Sequence, residues 1–151
     1  MIFILAGLFA LAGLYNLYLF GQVRERAKFT KTDLAVFLMM IVMYAIYYWV
    51  FKPYIINLLA ITLSMIFWRY TSSIARGFSE NYVFTNQLNP FINKKILLGE
   101  IKSITLSRAE KNLLLIVYFK TANSEDKMRF DFNKEKDLVR ILKKEKVNVI
   151  N

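Results

Sequence analysis

Apolar residues dominate the first half of the chain in three long, almost uncharged runs. The runs cover Ile2–Phe20, Leu34–Phe51 and Pro53–Tyr70. A helix rises about 1.5 Å per residue, so runs of this length match a bilayer hydrocarbon core that is roughly 30 Å thick. The pattern therefore predicts three transmembrane helices, at about 2–20, 34–51 and 53–70, that form a membrane domain over residues 1–70.

The second half of the chain changes to a period of two, which is typical of β-strands. Apolar and polar residues alternate around Tyr82 and around Ile104. The segment Leu113–Thr121 is apolar on both faces, which predicts a strand that is covered on both sides. A final helix is predicted over Lys134–Lys146, because apolar residues there recur at helical spacing. Its apolar stripe consists of Leu138, Ile141 and Leu142.

Together these elements predict a small α+β domain over residues 71–151. An amphipathic helix needs an apolar surface to cover, and a sheet with one apolar face supplies it. The simplest arrangement is an antiparallel sheet or partial barrel of about five strands, closed by the C-terminal helix.

The distribution of positive charge predicts the orientation in the membrane. The chain has 151 residues and a formal net charge of +10. Cations crowd the first loop, at Arg24, Arg26, Lys28 and Lys31, whereas the second loop contains Lys52 alone. Because Lys and Arg accumulate in cytoplasmic loops, we predict a multi-pass protein of the cell membrane. Its N-terminus lies outside and its C-terminal domain is cytoplasmic.

The residues needed for most enzymatic chemistry are absent from the sequence. The chain has no Cys and no His, and it has five Gly. The absence of Cys excludes thiolate chemistry, and the absence of His excludes the commonest general base. The few glycines do not match the motifs of Gly-rich phosphate loops. We therefore expect a protein that is not an enzyme, with no catalytic residue, metal ligand or cofactor. Nucleic acid is disfavoured as a partner because the strands lack a paired aromatic platform of the RNP type.

Three groups of residues are candidates for binding. The first is the aromatic outer end of the second and third helices, which either contacts a peptide or anchors the hairpin: Tyr47, Tyr48, Trp49, Lys52 and Tyr54. The second is a pair of amides within apolar runs, Asn16 and Asn57, which bond between helices or contact a ligand. The third is a basic surface that either binds anionic lipid or is ordinary solvated charge: Arg69, Arg76, Lys94, Lys95 and Lys102.

The soluble half resembles bacterial pleckstrin-homology-like domains. The resemblance covers residues 77 to about 146 and rests on the order of the elements and on a passage that enters a central strand. The residues of that passage are Leu97, Leu98, Ile101 and Ile104. The resemblance implies a fold of seven strands and a helix, whereas the pattern here predicts about five strands.

The layout of the whole chain also resembles small membrane-bound immunity proteins of Gram-positive bacteriocin producers. This resemblance implies protection of a producer against its own cationic, membrane-active peptide. The alternative is a membrane-anchored adaptor or scaffold whose cytoplasmic domain binds a protein partner or anionic lipid. The expected partners are the bilayer and either the peptide or a cytoplasmic protein, and no pattern in the sequence indicates an oligomeric state.

Overall fold

Four helices and eight short strands make up the part of the chain that the computed structural model describes, namely residues 2–52, 54–86, 92–109, 114–121, 125–144 and 149–150. The helices are α1 (Ile2–Phe20), α2 (Lys31–Phe51), α3 (Ile55–Ile74) and α4 (Glu135–Lys144). The strands are β1 (Glu25–Arg26), β2 (Gly77–Phe78), β3 (Tyr82–Thr85), β4 (Lys94–Leu97), β5 (Ser103–Ala109), β6 (Leu114–Lys120), β7 (Glu125–Asp131) and β8 (Val149–Ile150).

The three apolar helices confirm the prediction made from the hydrophobic runs. Helices α1, α2 and α3 are each long and apolar enough to cross a membrane. Helix α1 has its predicted bounds, whereas α2 begins at Lys31, ahead of the predicted Leu34. Helix α3 continues to Ile74, beyond the predicted Tyr70. Pro53, at which the third helix was predicted to begin, lies outside the described residues.

Helix α1 packs closely along α3. The contact needs a glycine, because a Cβ atom at Gly13 would lie 2.5 Å from the Phe67 ring and 3.2 Å from the Cα atom of Trp68. Next to it, the rings of Phe9 and Trp68 are 5.2 Å apart. A small residue that lets two backbones approach is the usual device for helix association in lipid.

Helix α2 stands apart from this pair and contacts α3 much more sparsely. Its one buried residue is Asp33, in its first turn. Further along, Phe37 meets Tyr70 at a ring distance of 6.4 Å, and the Tyr44 hydroxyl donates to the sulfur of Met65. The helix is therefore attached through its N-terminal and middle parts and leaves most of its surface uncovered.

The strands form two open sheets, and within the described residues neither closes into a barrel. One sheet has the order β1-β2-β3-β4, and the other has the order β7-β6-β5-β8. All pairs are antiparallel except the pair between β5 and β8. The predicted count of about five strands is too low because β1, β2 and β8 have two residues each. Two residues are too few to show a period.

Strand β1 belongs to the first loop, so this loop is part of a sheet. Glu25 and Arg26 pair with Phe78 and Gly77 of β2. Gly77 has a φ angle of 148°, and a Cβ atom there would lie 2.1 Å from the carbonyl oxygen of Glu25. Glycine is required both for this backbone conformation and for this approach. The pairing fixes the basic loop against the strands that follow α3.

Helix α4 covers one face of the second sheet, as its apolar stripe predicts. Leu138 and Leu142 are fully buried, Ile141 is 6% exposed, and they share a core with Leu115 and Phe130. The helix begins at Glu135, one residue after the predicted start, because a 3₁₀ turn precedes it. The predicted end at Lys146 lies outside the described residues.

The prediction that the segment Leu113–Thr121 is covered on both sides is wrong. Leu115 and Val117 are fully buried, but Tyr118 on the other face is 43% exposed. The neighbours of Tyr118 across the sheet are Thr105 and Lys127, which are polar. No described helix lies over this face. Leu113 itself lies outside the described residues.

Candidate functional site

An ion cluster around the buried Asp33 joins the N-terminal end of α2 to the C-terminal end of α3 and the residues just after it. The Asp33 side chain is 4% exposed and accepts hydrogen bonds from Arg69, near the C-terminal end of α3, and from Arg76, two residues after that helix. Arg76 Nη2 lies 2.6 Å from Asp33 Oδ2, and Arg69 Nη2 lies 3.3 Å from Asp33 Oδ1. Ser73 Oγ donates to Oδ1 at 3.3 Å. Such a cluster is stable only when its charges are paired and hydrogen-bonded.

The local sequence explains why Asp33 lies here. Thr30 caps α2, and its hydroxyl accepts from the backbone N–H of Asp33 at 3.2 Å. In return, the Thr30 backbone N–H donates to Asp33 Oδ2 at 2.9 Å. This reciprocal capping box was predictable from the spacing of the two residues. It orients the carboxylate back toward the helix N-terminus, where Arg69 of α3 and Arg76, just after α3, reach it.

A cleft of about 390 Å³ opens beside this cluster. We call it the junction cleft, because it lies between the first turn of α2, the end of α3 and strand β7. Its charged lining residues are Lys28, Asp33, Arg69, Arg76, Lys127 and Arg129. Five cations therefore surround one carboxylate. Of the predicted basic surface, Arg69 and Arg76 belong to this cleft.

The other three lysines of that predicted surface lie elsewhere. Lys94, Lys95 and Lys102 are exposed and do not line the junction cleft. Lys95 Nζ donates to Gln22 Oε1 at 3.0 Å and lies 3.9 Å from the centre of the Tyr82 ring. The five predicted cations thus divide into a half-buried pair, Arg69 and Arg76, and three surface lysines.

A second polar cluster ties α1 and α3 to the first sheet. Asn16 is fully buried, and its Oδ1 atom accepts from the backbone N–H of Asn93 at 3.1 Å. The Asn93 side chain in turn bonds to the hydroxyl and the carbonyl of Ser72, and Asn86 donates to the same hydroxyl. Asn16 therefore bonds to the segment before β4 and not to another helix. Asn57 is half-buried near the N-terminal end of α3.

Asp126 is a further buried carboxyl group, at the edge of the second sheet nearest the cluster. It is 6% exposed and accepts hydrogen bonds from the Thr85 hydroxyl and from the backbone N–H of Lys127. Burial raises the pKa of Asp126, although these hydrogen bonds and the charge of Arg76 act in the opposite direction. The group therefore takes up a proton more readily than an exposed aspartate does.

A second cavity, of about 410 Å³, lies between the middle parts of α2 and α3. We call it the methionine groove. It is lined by Val36, Met39, Met40, Met43, Tyr44, Tyr47 and Met65. The α2 residues recur at three- and four-residue spacing and so form one stripe along the helix. Methionine side chains are flexible and adapt to irregular partners.

The predicted outer aromatic residues divide between this groove and the surface. Tyr47 lines the groove and contacts the Phe51 ring at 5.0 Å. Tyr48, Trp49 and Tyr54 are exposed to 45%, 80% and 83% and do not line the groove. Lys52 ends α2 in a left-handed conformation, with a φ angle of 42°.

Sequence reasoning missed the residues that complete both cavities. It did not single out Lys28, Lys127 or Arg129 for the junction cleft, nor the methionines for the groove. The spacing of Met39, Met40 and Met43 was a usable signal for the groove. Among the described residues, no group of three or more Asp or Glu side chains is placed to hold a metal ion.

Comparison with known proteins identified no relative. No family model matches the chain, and neither a curated protein nor a solved structure matches it. Functional conclusions therefore depend on the two cavities themselves.

Proposed function

We propose that the protein is a membrane-embedded self-immunity protein that binds a cationic, membrane-active peptide and protects a bacteriocin producer from it. The methionine groove carries this proposal. The groove lies at membrane depth, where such a peptide inserts. The proposal includes a pleckstrin-homology-like fold for the strands and α4, and a cytoplasmic location for them.

The shape of the groove suits an apolar helical segment. Its α2 wall extends from Val36 to Tyr47, which corresponds to about 16 Å along a helix. Amphipathic helices commonly bind in such grooves through residues spaced three and four apart. Because α2 is buried only at Asp33, an incoming segment need not displace a packed helix to reach the groove.

The chemistry of the groove suits a peptide better than a lipid chain. Lipid tails are as apolar as the groove, so burial alone does not favour a bound segment in the bilayer. Sulfur and aromatic contacts add about 0.3–1.5 kcal/mol each, and the tyrosine hydroxyls of Tyr44 and Tyr47 supply polar contacts. At the outer end, exposed rings such as Trp49 can bind lysine side chains of a cationic peptide.

Protection of a sensitive strain tests the proposal. Expression of the protein should raise the inhibitory concentration of the cognate peptide. The double variant Met39→Ala/Met43→Ala should lower that protection roughly tenfold, equivalent to about 1.4 kcal/mol of binding. The two side chains are 66% and 59% exposed, so their truncation should leave the helix packing intact.

Leu38→Ala/Val42→Ala is a matched control on the same helix. These residues are each 55% exposed and lie outside the groove, so the control should protect fully at equal membrane abundance. A second variant, with Tyr48, Trp49 and Tyr54 changed to Leu, reports whether the peptide enters at the outer aromatic end. Equal protection by the groove variant and its control would contradict the role of the groove.

The adaptor function is the second candidate, and the open face of β6 favours it. Tyr118 and the half-buried Ile116 are not covered by α4. Tyr118 lines a cavity of about 400 Å³ together with Thr105 and Lys127. A cytoplasmic protein could bind there. If the intact protein protects against no membrane-active peptide, this second function becomes the proposal to pursue.

The proposed orientation predicts an all-or-none difference in chemical labelling. The chain has no cysteine, so single cysteines can be introduced at Lys52 and Glu100, both of which are exposed. In intact cells an impermeant maleimide should label the Lys52→Cys variant and leave the Glu100→Cys variant unlabelled. Permeabilised cells provide the control, because both variants should then react. If only the Glu100→Cys variant were labelled in intact cells, the orientation would be the opposite of the one proposed.

A further inference from the structure

The junction cleft combines a strong positive charge with a position at the membrane surface. Its charged lining consists of five cations and Asp33. Thr30 and Asp33 form the first turn of α2, and Arg69 lies in the last turns of α3. Since both helices are long enough to span the bilayer, the cleft lies at the depth of the phospholipid headgroups.

Asp33 does not neutralise the cleft. Its carboxylate already forms ion pairs with Arg69 and Arg76. Lys28 pairs with Asp131 at 2.8 Å. Within the described part of the chain, Lys127 and Arg129 form no ion pair. Both side chains extend from the exposed face of β7. Among the described residues, the cleft therefore has two cations at its rim without an acidic partner.

Arg69, which lines the cleft, also has a hydrogen-bond donor without a described partner. Arg69 Nε is buried and has no hydrogen-bond partner among the described residues. A buried donor without an acceptor is unfavourable unless a ligand or water satisfies it. Asp33 holds the guanidinium groups of Arg69 and Arg76 in fixed positions, so the donors are arranged before any ligand arrives.

We propose that the junction cleft binds the phosphate headgroup of an anionic phospholipid. Its volume of about 390 Å³ falls within the usual range for small-ligand pockets, about 300–1,000 Å³. Basic pockets between membrane helices bind acidic headgroups in this manner. The rim cations Lys127 and Arg129 contact the phosphate, and the acyl chains lie beside the exposed surface of α2. The bound lipid connects the second sheet to the inner ends of α2 and α3.

Titration with phosphatidylglycerol tests this site on the purified full chain in a neutral detergent. The fraction of lipid-bound protein is measured by native mass spectrometry, and phosphatidylcholine is the reference lipid. The parent protein should bind one phosphatidylglycerol in clear preference to phosphatidylcholine. Lys127→Gln/Arg129→Gln should weaken that binding by roughly tenfold or more. Both residues are exposed and outside the Asp33 cluster, so the fold should be retained.

Lys94→Gln/Lys102→Gln is the matched control. It removes the same number of charges from two exposed lysines outside the cleft, and it should bind phosphatidylglycerol like the parent. Equal weakening in both variants would show general electrostatic attraction and overturn the site. Equal binding of phosphatidylcholine by the parent would also overturn it. Displacement of the lipid by millimolar inorganic phosphate would assign the cleft to free phosphate instead.

Discussion

Replacement of Asp33 by alanine is expected to lower the free energy of unfolding by about 3–5 kcal/mol. Loss of the carboxylate leaves Arg69 and Arg76 without their shared partner, and their side chains are 18% and 14% exposed. The capping box with Thr30 is lost as well. Since Asp33 is the one buried residue of α2, the N-terminal end of this helix should detach from α3.

Unfolding of the protein in detergent micelles, followed by circular dichroism during a denaturant titration, measures this effect. Asp137→Ala is a suitable control because Asp137 forms an exposed pair with Arg140 at 3.0 Å. Exposed ion pairs contribute about 0–1 kcal/mol to stability. The free energy of unfolding of the control should therefore remain close to that of the parent. A loss of under about 1 kcal/mol for Asp33→Ala would mean that the two arginines find other partners.

Replacing the whole cluster separates its charge from its packing. In Asp33→Leu/Arg69→Leu/Arg76→Met no unpaired charge is left behind, so much of the lost stability should return. The same variant should lose phospholipid binding at the junction cleft, because two of its cations and their organising carboxylate are gone. Recovered stability without recovered lipid binding would assign the cluster a role in binding beyond its structural one.

The membrane half of the fold was predictable because its signals are local. A helix that spans a bilayer needs about 20 consecutive apolar residues, and such runs appear directly in the sequence. The start of α2 was encoded in the pair Thr30 and Asp33, three residues apart. The alternation around Tyr82 and Ile104 likewise located β3 and β5.

Contacts between distant segments were not predictable in the same way. Asp33 was interpretable from its neighbours as a helix cap, whereas its ion pair with Arg76 spans 43 positions. The charges of the first loop were attributed to membrane orientation, yet Glu25 and Arg26 also form a strand. A two-residue strand is created by its partner, here β2, and has no periodicity of its own.

The basic surface illustrates the same limit of sequence information. Five cations were grouped because they lie at the end of the third apolar run or in the segments that follow it. Arg69 and Arg76 line the junction cleft, whereas Lys94 and Lys102 do not. This difference follows from their positions in the folded chain, which the sequence pattern does not show. Lys127 and Arg129 alternate with buried residues of β7, so their outward direction was predictable, but the position of β7 beside α2 was not.

Replacement of Leu138 by alanine is the second large effect that we expect. Leu138 is fully buried in the core formed by α4 and the second sheet. Truncation removes buried methyl groups and leaves a cavity, which together cost about 2–5 kcal/mol. A domain of about 80 residues has little stability in reserve, so the sheet should open far more often than in the parent.

Hydrogen exchange of the backbone amides of β6 and β7 measures this opening without unfolding the membrane helices. Val139→Ala is the matched control on α4, because Val139 is only partly buried against the same core. This substitution should lower the free energy of unfolding clearly less than Leu138→Ala. Exchange in α1 and α3 should not change, since these helices pack through Gly13 and Phe67, far from α4 in the chain. Unchanged protection of β6 in Leu138→Ala would mean that the sheet does not depend on α4. Accelerated exchange throughout α1 and α3 would instead show that the sheets and the membrane helices unfold as one cooperative unit, through the bonds that join Asn16 to Asn93 and Ser72.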